Sequence, residues 1–143
     1  LRSAIIQLRA KSSCISLPEA LGGNPIQSVQ LYANINRSLL ETDRSPAAYF
    51  KVAEKARNAG FKVFKCAPFD EVSPLSTQST IVVDSVAGLE RVTAVRNAIG
   101  PDATLLVDCH SRFKQKTAQF IVDQLIEIGV AWLEEPVQPT NDL

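Results

Sequence analysis

Two acidic residues carry the first chemical signal in this sequence: Asp108, in the run Asp108-Cys109-His110, and Glu134, in the run Glu134-Glu135-Pro136. Each closes a short apolar stretch, Leu105 to Val107 before the first and Val130 to Leu133 before the second. Carboxylates brought together at the ends of two strands can hold a hard divalent cation, which takes oxygen ligands and keeps positions open for water or substrate. The only histidine of the chain, His110, stands two residues after Asp108, and Lys65 lies near the end of another apolar stretch, Phe61 to Cys66. A histidine there can act as a general acid, since nearby carboxylates favour its protonated form while a cation opposes it. A lysine at strand depth can neutralise an anionic substrate and the charge developing on it.

These residues can meet only if the elements between them return the chain to the same place. Leu105 to Val107 and Val130 to Leu133 read as parallel strands buried on both faces. Between them Ala118, Ile121, Val122, Leu125 and Ile128 recur at helical spacing from Gln115 onward, and Gly129 stands where a helix ends in a left-handed residue. A right-handed crossover then sets the two strands side by side, with Asp108 and Glu134 at one end of one sheet. Alternation along a strand puts Asp108 and His110 on one side if the strand extends that far.

The same alternation runs through the rest of the chain. Ala4, Ile5, Leu8 and Ala10 suggest a short helix, and Leu17 to Leu21 a brief helical turn closed by Gly22-Gly23. After Asn24-Pro25, the residues from Ser28 to Asn34 alternate as a first strand, with Asn34 near its C-terminal end as a candidate substrate contact. Ser45-Pro46 is a helix start and Gly60 a stop, leading into Phe61 to Cys66 as a second strand that Pro68 prevents from continuing. Glu71 to Thr80 form a polar stretch without periodicity, of a length typical of functional loops, and Ile81 to Val83 are assigned to no element. Leu89, Val92, Val95, Arg96 and Ile99 mark another helix, ended by Gly100-Pro101. Four βα repeats predict an α/β fold with a parallel sheet and outer helices. No glycine-rich phosphate loop follows the first strand, so a barrel is preferred over a dinucleotide fold. A closed barrel needs eight such units and about 250 residues, so this chain holds about half of one.

Bulk properties exclude little. The 143 residues are 45% hydrophobic, and 15 basic residues balance 15 acidic ones, so no charge excess suggests a nucleic-acid or membrane-surface partner. The odd set Cys14, Cys66 and Cys109 makes no disulfide framework, and no signal or spanning segment is apparent, which fits a reducing, cytoplasmic setting. The chain lacks methionine, opens at Leu1 in an apolar period, and stops at Leu143 after a Pro-, Thr- and Asn-bearing turn that should introduce another helix. These ends are expected of part of a longer protein.

The stretches Gly88-Leu89-Glu90-Arg91-Val92, Ala94-Val95-Arg96, Ile99-Gly100-Pro101-Asp102, Val107-Asp108 and Trp132 to Pro136 occur in an order and spacing that resemble the mandelate racemase and muconate lactonizing branch of the enolase superfamily. Leu17-Pro18 through Gly23 also looks like that family's passage from capping domain into barrel. The resemblance implies that residues 1–24 end the capping domain and 25–143 form the N-terminal half of the barrel. It further implies abstraction of a proton next to a carboxylate, with a divalent metal, usually magnesium, stabilising the enediolate. Asp108 then resembles the first metal ligand and Glu134 the second, with the third ligand and the base expected beyond Leu143. Racemases and cycloisomerases of this branch carry two lysines on the second strand; Lys65 matches the first, but Ala67 stands at the second. Lys65-x-x-Pro68-Phe69 with Asp108-x-His110 is more similar to the acid-sugar dehydratases, in which the histidine protonates the departing hydroxyl.

Plainer readings stand beside these: solvated loop acids for Asp108 and Glu134, an exposed histidine, and a snorkelling lysine. Glu135 has the opposite parity to Glu134 and is a structural partner by position. A zinc set of Cys66, Cys109, His110 and Glu134 is disfavoured because both cysteines follow an inward residue and should face the helices as small buried hydrophobes. The resemblance thus implies, for the full-length parent, a magnesium-dependent sugar-acid dehydratase acting on a small carboxylate and forming a homo-oligomer. The alternatives are a racemase or cycloisomerase, or a catalytically incompetent half-barrel that only self-associates.

Overall fold

Four short strands, each preceded or followed by helical segments, form one parallel sheet in the sequential order β1-β2-β3-β4 in a computed structural model that describes residues 2–24, 28–39 and 43–139. The chain divides into two compact units, residues 1–30 and 31–143. In the first, α1 (Arg2–Ser12) is followed by α2 (Leu17–Ala20), whose start is a reciprocal cap: Ser16 Oγ accepts from Glu19 N while Ser16 N donates to the Glu19 carboxylate. The expected start of the barrel half at Pro25 and the turn at Thr140 and Asn141 lie outside the described residues.

The second unit contains β1 (Ala33–Asn34), a 3-10 turn (Ile35–Leu39), α3 (Pro46–Asn58), β2 (Val63–Cys66), α4 (Ile81–Ile99), β3 (Thr104–Asp108), α5 (Gln115–Ile128) and β4 (Trp132–Glu134). Ser45 caps α3 by accepting from Ala48 N, with Pro46 at the first helical position. Gly129 ends α5 at φ 83°. Helix α4 extends back through Ile81 to Val83, because Ile81 and Ser85 are buried and Ser85 Oγ donates to Ile81 O at 2.6 Å.

The sheet has one packed face. Ala33, Phe64, Cys66, Leu105, Val107 and Cys109 join Tyr49, Ala53, Val92, Val95, Ile121 and Leu125 in a single core between strands and helices. Arg96 fastens the N-terminal side, donating to the carbonyls of Gly100, Ala103, Ile128 and Gly129 and so tying two helix ends to the start of β3. Among the described residues these are three βα units and a fourth strand, an arrangement of the kind that makes the first half of a (β/α) barrel.

The edges depart from expectation. The first strand shrinks from Ser28–Asn34 to two residues, leaving Leu31 and Tyr32 exposed, because β1 has only β2 beside it and their register begins at Ala33↔Phe64. Strand β4 is the opposite edge and is not buried on both faces: Trp132 is 61% exposed.

Candidate active site

Register decides which side chains meet at the C-terminal end of the sheet. Asp108 pairs with Glu134 across β3 and β4, so their Cα atoms are direct neighbours and both side chains stand on the face away from the helices. Lys65 pairs with Leu106, two residues deeper on the same face. At about 3.3 Å per residue that is roughly 7 Å of depth, which a four-carbon lysine stem can span. Lys65 Nζ reaches 3.0 Å from Asp108 Oδ2 and 2.6 Å from Glu134 Oε2. Burial draws the ammonium pKa down, but hydrogen bonds to Glu134 and Asp108 outweigh it and hold it above its ordinary value.

His110 reaches this cluster by a different route from the one alternation suggests. Strand β3 ends at Asp108, and His110 and Ser111 take φ of 47° and 55°, with Glu135 at 43° on the facing chain. Left-handed backbone at three non-glycine residues is held by Cys109 N donating to Glu134 O, Ser111 N to Glu135 O and Phe113 N to Pro136 O. The two chains swerve together and pair again at Phe113↔Val137. The backbone N of His110 donates to Asp108 Oδ1 at 3.1 Å, and its half-exposed ring places Nε2 3.4 Å from Asp108 Oδ2. Glu135 contributes its backbone carbonyl to this junction and leaves its side chain exposed.

A cavity of about 180 Å³ joins Lys65, Asp108 and His110 to Asn34, Asn36, Cys66 and Ala67. The Asn34 carboxamide oxygen accepts from Asn36 N in a local turn, at the rim of this cavity. All the sequence-predicted residues therefore come to one end of one sheet. Cys66 and Cys109, by contrast, point into the helix-side core, and burial pushes both thiols up to about 12.

Several residues that sequence reasoning missed hold the cavity in shape. Asn36 acts as a substitute strand where β1 has ended: its Oδ1 accepts from Ala67 N at 2.8 Å and its Nδ2 donates to Ala67 O at 3.1 Å. Tyr49 and Arg44 donate to the same carbonyl. The loop after β2 is strapped by three arginines. Arg91 makes a bidentate pair with Glu71 and donates to Arg44 O and Pro68 O, Arg44 pairs with Asp70, and Arg112 donates to Asp70 O and Val72 O. Arg91 appears in the sequence only as a charge on an apolar helix face, the one available signal that a buried partner exists.

The two carboxylates converge on one positive charge and present only oxygen donors, the ligand type that hard divalent cations take. Among the described residues no group of three His, Cys, Asp or Glu side chains is placed to hold a metal. Among the same residues, no helix is long and apolar enough to cross a membrane.

Comparison with known proteins bears on the fold and the family. Residues 48–143 match the family described as enolase C-terminal domain-like. The chain is 30% identical over 134 residues to a D-gluconate dehydratase of Thermoproteus tenax, covering 94% of this chain and 26% of that protein. It is 29% identical to a D-galactarolactone cycloisomerase of Agrobacterium fabrum, covering 95% of this chain and 32% of the relative. Among solved structures, an enolase-superfamily member from Salmonella Typhimurium superposes with a TM-score of 0.78 at 22% identity, over 97% of this chain and 38% of the other. A dipeptide epimerase from Cytophaga hutchinsonii, complexed with Mg and a dipeptide, gives 0.72 at 21%, over 94% of this chain and 32% of the other. The chain thus spans about a quarter to a third of the curated relatives' length. The resemblance to the mandelate racemase and muconate lactonizing branch holds, and the chain belongs to the enolase C-terminal domain-like family.

Proposed function

We propose that this chain forms part of a magnesium-dependent acid-sugar dehydratase. The observation that carries the reading is the convergence of Asp108 and Glu134 on one cationic position, the Lys65 ammonium, whose side chain lines a cavity with Asp108 and His110. Two curated relatives are named as dehydratases of gluconate or galactonate. Asp108 and Glu134 are the residues that would hold magnesium, with residues 1–24 closing a capping domain and 25–143 contributing half of the barrel. Bound there, the ion would supply Lewis-acid stabilisation to a substrate carboxylate as its α-proton leaves.

The chain's own residues then divide the remaining work. Lys65 donates to the substrate carboxylate, and Asn34 at the cavity rim contacts the sugar chain. A base on a further strand takes the α-proton, the electron pair moves into the Cα–Cβ bond, and the β C–O bond breaks. His110 gives its Nε2 proton to the departing hydroxyl, which leaves as water, and the enol product becomes a 2-keto acid. Ala67, where a second strand lysine would stand, has no ionisable side chain, so that position offers no base.

His110→Asn in the gene product tests the assignment. Retained exchange of the α-proton with solvent deuterium, together with lost dehydration, is the expected result. Undiminished dehydration would refute the acid role. A cycloisomerase is the second reading, favoured by a relative of that name at almost the same identity as the dehydratase. On its own the chain is expected to self-associate, since Leu31 and Trp132 leave both sheet edges apolar and exposed.

A further inference from the structure

The positive charge between the two carboxylates is supplied by the chain itself. Lys65 Nζ lies 3.0 Å from Asp108 Oδ2 and 2.6 Å from Glu134 Oε2, where both acids converge. An ammonium has three donors and no acceptor, so it can satisfy two carboxylates at once. A divalent cation held by the same oxygens would need the same ground, and two cations at contact distance repel strongly away from bulk water.

From this juxtaposition we infer that Lys65 is a built-in surrogate for the metal: it pairs the two carboxylates in the metal-free protein and must leave at least one of them before a divalent cation is held by both. The inference rests on the proposed reading of Asp108 and Glu134 as metal ligands. It adds an order of events. In the paired position Lys65 already lines the cavity with Asn34, Asn36 and His110, its Nζ 5.7 Å from the Tyr32 ring, so release from the acids leaves the ammonium in the same cavity. Metal loading and exposure of an anion-binding ammonium are then one step, so the metal binds before the substrate carboxylate.

One effect opposes this. A lysine that holds the acids together could also preorganise them for metal, and its loss would then weaken binding. The register argues against that outcome, because Asp108 and Glu134 are direct partners on hydrogen-bonded strands and remain neighbours without the lysine. Competition for the oxygens therefore outweighs preorganisation.

The test is calorimetric titration of the purified gene product and of Lys65→Met with Mg2+ alone, without substrate and at fixed ionic strength. The variant should bind Mg2+ at least about fivefold more tightly, the lower end of ordinary coupling between two sites. Its melting temperature in chelator should be lower than that of the wild type, and Mg2+ should raise it further. Equal or weaker Mg2+ binding in the variant overturns the surrogate role while leaving the metal-ligand reading intact. If neither protein binds Mg2+, the metal reading falls and the inference falls with it. Should Lys65→Met not fold, nitrogen-15 NMR of the wild-type lysine ammonium decides. Its hydrogen-bonded signal should be lost at saturating Mg2+, and an unchanged signal at saturation overturns the inference.

Discussion

Replacing Gly88 by alanine sets two opposed effects against each other on one buried helix face. Gly88 lies inside α4, where alanine is favoured over glycine by about 1 kcal/mol. A Cβ at this position would fall 2.2 Å from Cδ1 and 2.6 Å from Cε1 of Phe69. Carbon atoms rest at about 3.5 Å or more, so the ring would have to retreat by roughly 1.3 Å. Phe69 has nowhere to go: it is 2% exposed, stands edge-on to Phe113 with ring centroids 5.1 Å apart, and belongs to a loop anchored by Arg91 at Pro68 O. Overpacking of this kind costs about 1–3 kcal/mol, and a displacement exceeding 1 Å belongs toward the upper end. The net expectation is destabilisation by about 1–2 kcal/mol, measured as a lowered urea midpoint at unchanged m. A variant as stable as the wild type, or more so, would show that the ring is free to move and that this contact does not constrain the helix.

Other consequences follow from the same supports. Asn36→Ala removes both hydrogen bonds to the Ala67 backbone and should cost about 1–3 kcal/mol, with faster hydrogen exchange at the Ala67 amide; unaltered exchange there would contradict the substitute-strand role. Glu71 is held below its ordinary pKa of 4.5, mainly by the hydrogen bonds from Arg91. Its contribution is therefore fully present above about pH 4.5 and is lost as pH falls through the lower folded value, so the stability gap between wild type and Glu71→Gln should close in acid. A gap that stays constant from about pH 6 to pH 3 would count against the pair. Cys66 and Cys109, with thiols pushed up to about 12 by burial, should resist a thiol reagent in the native protein while exposed Cys14 reacts; all three should react in denaturant.

What was legible in the sequence followed from local patterns that the packing respects. The apolar period between Asp108 and Glu134 and the left-handed Gly129 were enough to bring two acids side by side, because a parallel βα unit has only one favoured hand. Parity correctly sent Cys66 and Cys109 to the core and Lys65 to the opposite face. The parity argument for His110 required β3 to reach it; the strand ends at Asp108, and left-handed backbone at residues 110, 111 and 135 brings the ring to Asp108 instead. The alternating pattern of residues 28–34 overstated β1, since an edge strand has only one neighbour and pairing began late. Asn36, Arg44 and Arg112 could not be read at all, and Arg91 only as a charge on an apolar helix face. Their partners are mainly backbone carbonyls and amides 23 to 47 residues away, and such pairings leave no period in a sequence.

If Asp108, Glu134 and His110 belong to a magnesium-dependent enzyme that removes water from a sugar acid, the reaction itself is the place to look. The gene product is incubated with a panel of sugar acids, including D-gluconate and D-galactonate, with Mg2+ and with chelator, and 2-keto acid formation is followed. At least one of them should yield 2-keto acid, with the reaction abolished by chelator and restored by Mg2+. Isomerisation or cyclisation without loss of water, or dehydration that persists without metal, would contradict the assignment.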